Sequence, residues 1–162
     1  MWRSALALVM VAGTAHADVD RTERRLAIGL AIPDELHVTG HDVTVPLPTL
    51  HVGYAITAAA SLELGLGGVP IGDGGRHLLG HVGARYRLTR HAVAPFVMAR
   101  IGAYDHVPDE GTAGTYTFGL AGGGLEYVRS RLALWLDVGA GVVDYRGATL
   151  AVGGSLGISL RL

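Results

Sequence analysis

From residue 26 to residue 162 the sequence alternates with a period of two, and that period decides what the chain can fold into. The final stretch shows it most plainly. Leu150, Val152, Leu156, Ile158, Leu160 and Leu162 hold one parity, broken only by Gly154, while Ala151, Gly153, Ser155, Gly157, Ser159 and Arg161 hold the other. A strand sends successive side chains to opposite faces, so one face is large and apolar and the other small or polar. The same rule governs 26–32, 49–57, 62–67, 81–88 and 132–143. Two further segments are less regular. In 95–104, Val97 and Ile101 point outward and Arg100 inward. In 116–127, Leu125 and Tyr127 point outward and Glu126 inward, whereas Phe118 and Leu120 share parity with Glu126. That conflict predicts a bulge among Gly122, Gly123 and Gly124 that switches the phase.

Eight strands result. Short turns are predicted at 58–61, 89–92 and 128–131, longer loops at 33–42, 68–76 and 105–114, and a tight connection at 144–147. Residues 1–17, MWRSALALVMVAGTAHA, have a positive start at Arg3, a short apolar run and an Ala15-His16-Ala17 small-x-small site. This is the pattern of a cleaved secretory signal peptide, and it predicts an exported chain whose single domain covers 18–162.

Charged residues make up 17% of the chain, against the roughly 25% usual for soluble domains, yet no apolar run past residue 17 reaches the ~18 residues of a spanning helix. Placing the apolar face inside a barrel would crowd a narrow lumen with large side chains. Placing it outside, against lipid, leaves an interior of Gly and Ala with Glu63, Glu126 and Asp137 facing Arg85, Arg87, Arg100 and Arg161. Buried charges must pair, and this near-balance of signs predicts a lumen charge network. In lipid only helices and closed barrels satisfy every backbone N–H and C=O. The expected fold is an all-β, eight-stranded, antiparallel, transmembrane up-and-down barrel. A secreted soluble barrel is the alternative.

These residues resemble the small eight-stranded outer-membrane barrels, the OmpA-like and OmpX-like membrane domains. The resemblance rests on Pro95-Phe96-Val97, on the Gly-rich arm ending Leu125-Glu126-Tyr127, and above all on the chain end. There Ser155, Gly157, Leu160 and Leu162 match that family's C-terminal insertion signal, although the family usually ends in an aromatic residue and this chain ends in Leu162. The family's aromatic girdles are represented only by Tyr54, Tyr86, Tyr104, Tyr127 and Tyr145. The resemblance implies the cell outer membrane, contact with outer-membrane lipids and lipopolysaccharide, handling by the barrel-assembly machinery and a monomer. It implies no single activity, because related barrels serve as anchors, adhesins, channels and enzymes.

Residues of other chemistry carry less. With no Cys there is neither disulfide nor thiolate site, and no basic tract suggests nucleic acid. His37 and His41, like His77 and His81, are four apart, which on a strand spans about 13 Å at ~3.3 Å per residue, too far to share an ion, so no metal or other cofactor is expected. A lipid-modifying hydrolase would need a nucleophile beside a His near the rim. Ser61 and Ser130 fall in predicted turns, Ser155 and Ser159 face the lumen among glycines, and no His is near any of them in sequence. The clusters at 72–75 and 122–124 open no helix and read as turn and bulge glycines rather than phosphate loops. The reading is a non-catalytic structural or surface-interaction barrel with a plugged polar lumen; the alternative is a small-solute channel. Asp34, Glu35, Asp42, Asp73, Asp105, Asp109, Glu110 and Asp144 crowd the longer connections, whereas Arg90, Arg129 and Arg131 mark the short turns. This places the long loops outward, where their acids could hold divalent cations beside lipopolysaccharide.

Overall fold

The computed structural model describes residues 18–38, 43–71, 75–107, 114–144 and 147–162, with the backbone alone for 33–38, 43–47, 71 and 106–107. Residues 1–17, and with them the expected signal peptide, lie outside this set.

Eight strands run in chain order: β1 (Leu26–Val38), β2 (Val43–Ala55), β3 (Ala60–Ile71), β4 (Gly75–Arg87), β5 (Val93–Val107), β6 (Gly114–Arg129), β7 (Leu132–Asp144) and β8 (Ala148–Arg161). Each pairs antiparallel with its neighbour, and β1 pairs with β8 from Ala27 opposite Arg161 to Val38 opposite Ala151, closing the barrel. Closure leaves no edge strand to present unpaired N–H and C=O groups to an apolar surround. At 12 to 16 residues the strands exceed the roughly 9–11 needed to span a bilayer.

The extra length is where sequence and structure part. The expected loops at 33–42 and 68–76 are mostly strand, and the one at 105–114 loses both its ends to β5 and β6: the connections shrink to 39–42, 72–74 and 108–113. At the opposite end, which also receives the start of β1 and the end of β8, the connections are 56–59, 88–92 and 130–131. We call these the loop end and the turn end. In the 130–131 turn Ser130 takes the left-handed conformation, with φ of 56°.

The outer surface carries the apolar parity. Ile28 and Leu30 on β1, Leu64 and Leu66 on β3, Val82 on β4, Ile101 on β5, Leu134, Leu136 and Val138 on β7, and Leu156 and Ile158 on β8 are all exposed. A continuous exposed apolar belt around a closed barrel is a lipid-facing surface, since water-soluble domains seldom expose more than a few hundred Å² of contiguous apolar area.

No bulge occurs at Gly122–Gly124. Strand β6 pairs with β5 and β7 without a break, and Phe118 and Leu120 keep the parity of Glu126 because all three face inward. The register shift lies in β1, between Ala31 and Asp34. Tyr54 and Tyr86 are exposed on the outer face, but Tyr104 is buried in the lumen and belongs to no girdle; Tyr145 lies outside the described residues.

Candidate functional site: the lumen lining

Inward-facing side chains line the barrel in two chemically different parts. From the middle to the turn end the lining is ionic. Asp137 on β7 receives Arg100 of β5 at both oxygens, with Nη2 to Oδ2 at 2.6 Å and Nη1 to Oδ1 at 3.2 Å. The Ser155 amide and hydroxyl on β8 also donate to it, at 3.2 and 3.0 Å. Glu63 on β3 accepts from Arg100 Nε at 2.9 Å and Arg85 Nη2 at 3.0 Å. Glu126 on β6 accepts from Arg87 Nε at 2.6 Å and Nη2 at 2.8 Å. The bidentate pairs use the planar fork of Arg, which a Lys could not supply. Arg85 lies between the two groups, 3.7 Å from Asp137 and 3.8 Å from Glu126, with its guanidinium 4.1 Å from the Phe96 ring centroid. Its Nε has no hydrogen-bond partner among the described residues; the aromatic face covers it instead.

Arg161 stands apart from the other six charged residues named from the sequence. It bonds no carboxylate among the described residues. Its Nη2 donates to the carbonyls of Arg21 and Arg24, at 2.7 and 3.2 Å. Those residues belong to a segment that the strand pattern does not place in the fold. Residues 18–25 cross the turn end as a strap, joined to the β4–β5 connection by a bridge from Asp18 to His91 and a bond from the Val19 amide to the Arg90 carbonyl. Arg21 turns into the barrel, 1% exposed. Its Nε donates to Glu126 at 2.9 Å and its Nη2 to the His91 carbonyl at 3.0 Å. Burial pulls the Arg21 guanidinium below its ordinary pKa, against the attraction of Glu126. On the strap's outer side the Thr22 hydroxyl and amide donate to Asp20 and lower its carboxyl below the usual range. The only sequence hint of the strap is the alternation of acids with Arg21, Arg24 and Arg25, which carries no strand or helix period.

The loop-end half is apolar. Leu79, Tyr104, Phe118, Leu120, Val143 and Ala151 form one buried cluster, with Val69 and Tyr116 against it. The expectation of a polar lumen therefore holds for only part of its length. Lying next to one another, Leu78 and Leu79 blur the alternation on β4, and a bulge in β6 would have turned Phe118 and Leu120 outward.

Narrowness explains the glycines. Several large inward side chains lie over a glycine on a neighbouring strand: Trp135 over Gly157, His81 over Gly65, Phe96 over Gly124. A Cβ at Gly157 or Gly65 would overlap the facing ring. The four C-terminal signal residues divide by face. Ser155 bonds Asp137 and accepts from Trp135 Nε1 at 3.3 Å, Gly157 makes room for Trp135, and Leu160 and Leu162 are exposed outside.

The side chains of His37 and His41 lie outside the described residues, and the described histidines form no ligand set. His77 contacts Tyr104, and the His81 ring lies 5.1 Å from that of His51. Among the described residues no group of three or more His, Asp or Glu could hold a metal. Ser61 is not in a turn but on β3, inside the lumen, where it accepts from Arg87 Nη1 at 3.3 Å. The side chains of the loop acids are outside the described residues except Asp105, which accepts from Thr115 at 2.9 Å, and Asp144, which is exposed.

No protein-family model matches the chain, and no curated protein sequence matches it. Solved structures do. The N-terminal β-barrel domain of Pseudomonas aeruginosa OprF is similar with a TM-score of 0.56 at 18% identity, over 85% of this chain and 98% of that one. Neisserial surface protein A, NspA, gives 0.60 at 14% identity, over 85% and 96%. Ail, the attachment invasion locus protein of Yersinia pestis, gives 0.54 at 14%, over 85% and 97%. At such identities the likeness speaks for architecture alone, and it agrees with the closed lipid-facing barrel described above: the chain has the fold of the small eight-stranded outer-membrane β-barrels.

Proposed function

We propose that the chain is an outer-membrane protein of structural or surface-interaction type, whose barrel is a closed stopper rather than a pore and performs no catalysis. The observation that carries this reading is the side-chain filling of the lumen, apart from a small cavity at its turn-end mouth. The strap with Arg21 covers the turn end, the Arg–carboxylate network occupies the middle, and the apolar cluster around Phe118 seals the loop end. Eight strands enclose an interior just wide enough for side chains to fill, and here they fill it.

The absence of catalysis is supported by how the lumen hydroxyls are engaged. Ser61 is bonded to Arg87, and the one carboxylate that Ser155 meets, Asp137, is held at both oxygens by Arg100 and is not free to act as a general base. In this reading the outward-directed loop end meets lipopolysaccharide, its acids bridged by divalent cations. Two of the similar structures are named as a surface protein and an attachment invasion locus protein, which supports a role at the cell surface. Ser155, Gly157, Leu160 and Leu162 serve the barrel-assembly machinery as insertion signal, and the barrel works as a monomer.

Single-channel recording of refolded protein 18–162 in planar bilayers tests the proposal. A closed barrel inserts without discrete conductance steps. Regular, salt-proportional steps would establish the small-solute channel in its place.

A further inference from the structure

We infer that the turn-end mouth of the barrel is a binding site for a solvent-borne oxyanion, a phosphate or a carboxylate. The strap and the ends of the strands line a small cavity of about 60 Å³ there. Its charged lining is one-sided: Arg21, Arg24, Arg25, Arg87 and Arg161 at the mouth, with Arg85 deeper, against Glu63 and Glu126.

Both acids are already committed. Glu126 is shared by Arg21 and Arg87. Glu63 is shared by Arg85 and Arg100. Arg24, Arg25 and Arg161 have no carboxylate within ion-pair distance among the described residues, and the acids of the strap do not line the cavity. Arg161 is the sharpest case. It is 7% exposed, and the acids that reach it, Glu126 and on the strap Asp20, are set against Arg21, Arg87 and Arg24. Its hydrogen bonds to two backbone carbonyls orient the guanidinium without neutralising it. Buried cations that outnumber the acids beside them are costly. One anion seated between Arg161 and Arg24 removes that cost, and guanidinium forks match the paired oxygens of phosphate and carboxylate. Because Arg161 also holds the strap by the Arg21 and Arg24 carbonyls, the anion would bind the strap in its docked position. The inference does not depend on which way the barrel faces.

The test is thermal unfolding of refolded protein 18–162 in zwitterionic detergent, followed by circular dichroism at constant ionic strength in sodium phosphate, acetate or chloride. A ligand that binds only the folded state raises the midpoint in a saturable way. The expected result is a saturable rise with phosphate, acetate or both, and none with chloride. A response to phosphate alone assigns a phosphate-bearing ligand, and a response to acetate alone a carboxylate. Arg24→Gln and Arg25→Gln remove side chains that carry no ion pair among the described residues, so both variants fold. Each weakens the response about tenfold, the loss of one charged hydrogen bond. Arg129→Gln, at the exposed end of β6, leaves it unchanged. Equal responses to all three salts, or Arg24→Gln behaving like Arg129→Gln, would overturn the site.

Discussion

At the scale of single residues, the account turns on which carboxylates are committed inside the barrel. Glu126 is bonded by Arg21 and Arg87 and is 5% exposed. Removing one partner from a buried ionic group leaves the others uncompensated, typically at about 3–5 kcal/mol. Glu126→Ala is therefore expected to lower the unfolding free energy in urea by that amount, while Asp144→Ala, on the outer rim, changes it by less than about 0.5 kcal/mol. The outer face gives a complementary expectation. Leu136 is 58% exposed on β7, and Leu136→Arg at mid-depth costs about 2–4 kcal/mol in lipid vesicles. The same substitution on a water-facing surface would cost next to nothing, so refolding titrations in vesicles separate the two. The inward charges are legible in the sequence because each sits on the parity opposite a run of Leu, Val or Ile. Arg21 is not, because it reaches the lumen from outside the strand pattern, through a strap whose path depends on Glu126 at a separation of 105 residues.

At the scale of elements, the strap and β6 are the parts that alternation alone could not place. Eight strands and their order can be read because each apolar run meets its neighbour across a turn. The loop-end strand extensions cannot, since 33–38, 43–47 and 68–71 carry Pro or Gly and lose the clean period. The phase of β6 departs from expectation for a physical reason: its inward residues change from glycine and Glu126 at one end to Phe118 and Leu120 at the other. The lumen, not the strand, changes character there. Deleting residues 18–25 uncovers the turn end and exposes Glu126 to water. Its effect on stability and that of Arg21→Ala are expected to be similar, as both remove the same ion pair; urea unfolding of the two variants checks this. Trp135 packs over Gly157, and Gly157→Val cannot fold without displacing the ring. Its expected cost is about 1–3 kcal/mol, the range for overpacking, read together with a shift in Trp135 fluorescence.

At the scale of the whole molecule, the central claim is that one parity meets lipid and the other meets a filled, water-poor interior. The two ends of the barrel then face different solutions. With the loop end outward, an external protease given to intact cells cuts within 108–113 and spares the turn at 130–131; cleavage at that turn in unbroken cells would reverse the orientation. The claim itself is tested most directly by accessibility along the strands. The chain contains no Cys, so single cysteines can carry a spin label at Leu134, Leu136 and Val138 on the outer face and at Ala133 and Ala151 on the inner face, in protein refolded into liposomes. The account predicts high collision rates with oxygen, which partitions into lipid, and low rates with a water-soluble nickel chelate at the three outer positions. At the two inner positions it predicts low rates with both. Nickel access at Ala133 and Ala151 would mean a wet, open lumen, and nickel access at Leu134, Leu136 and Val138 would mean that the apolar face never meets a membrane.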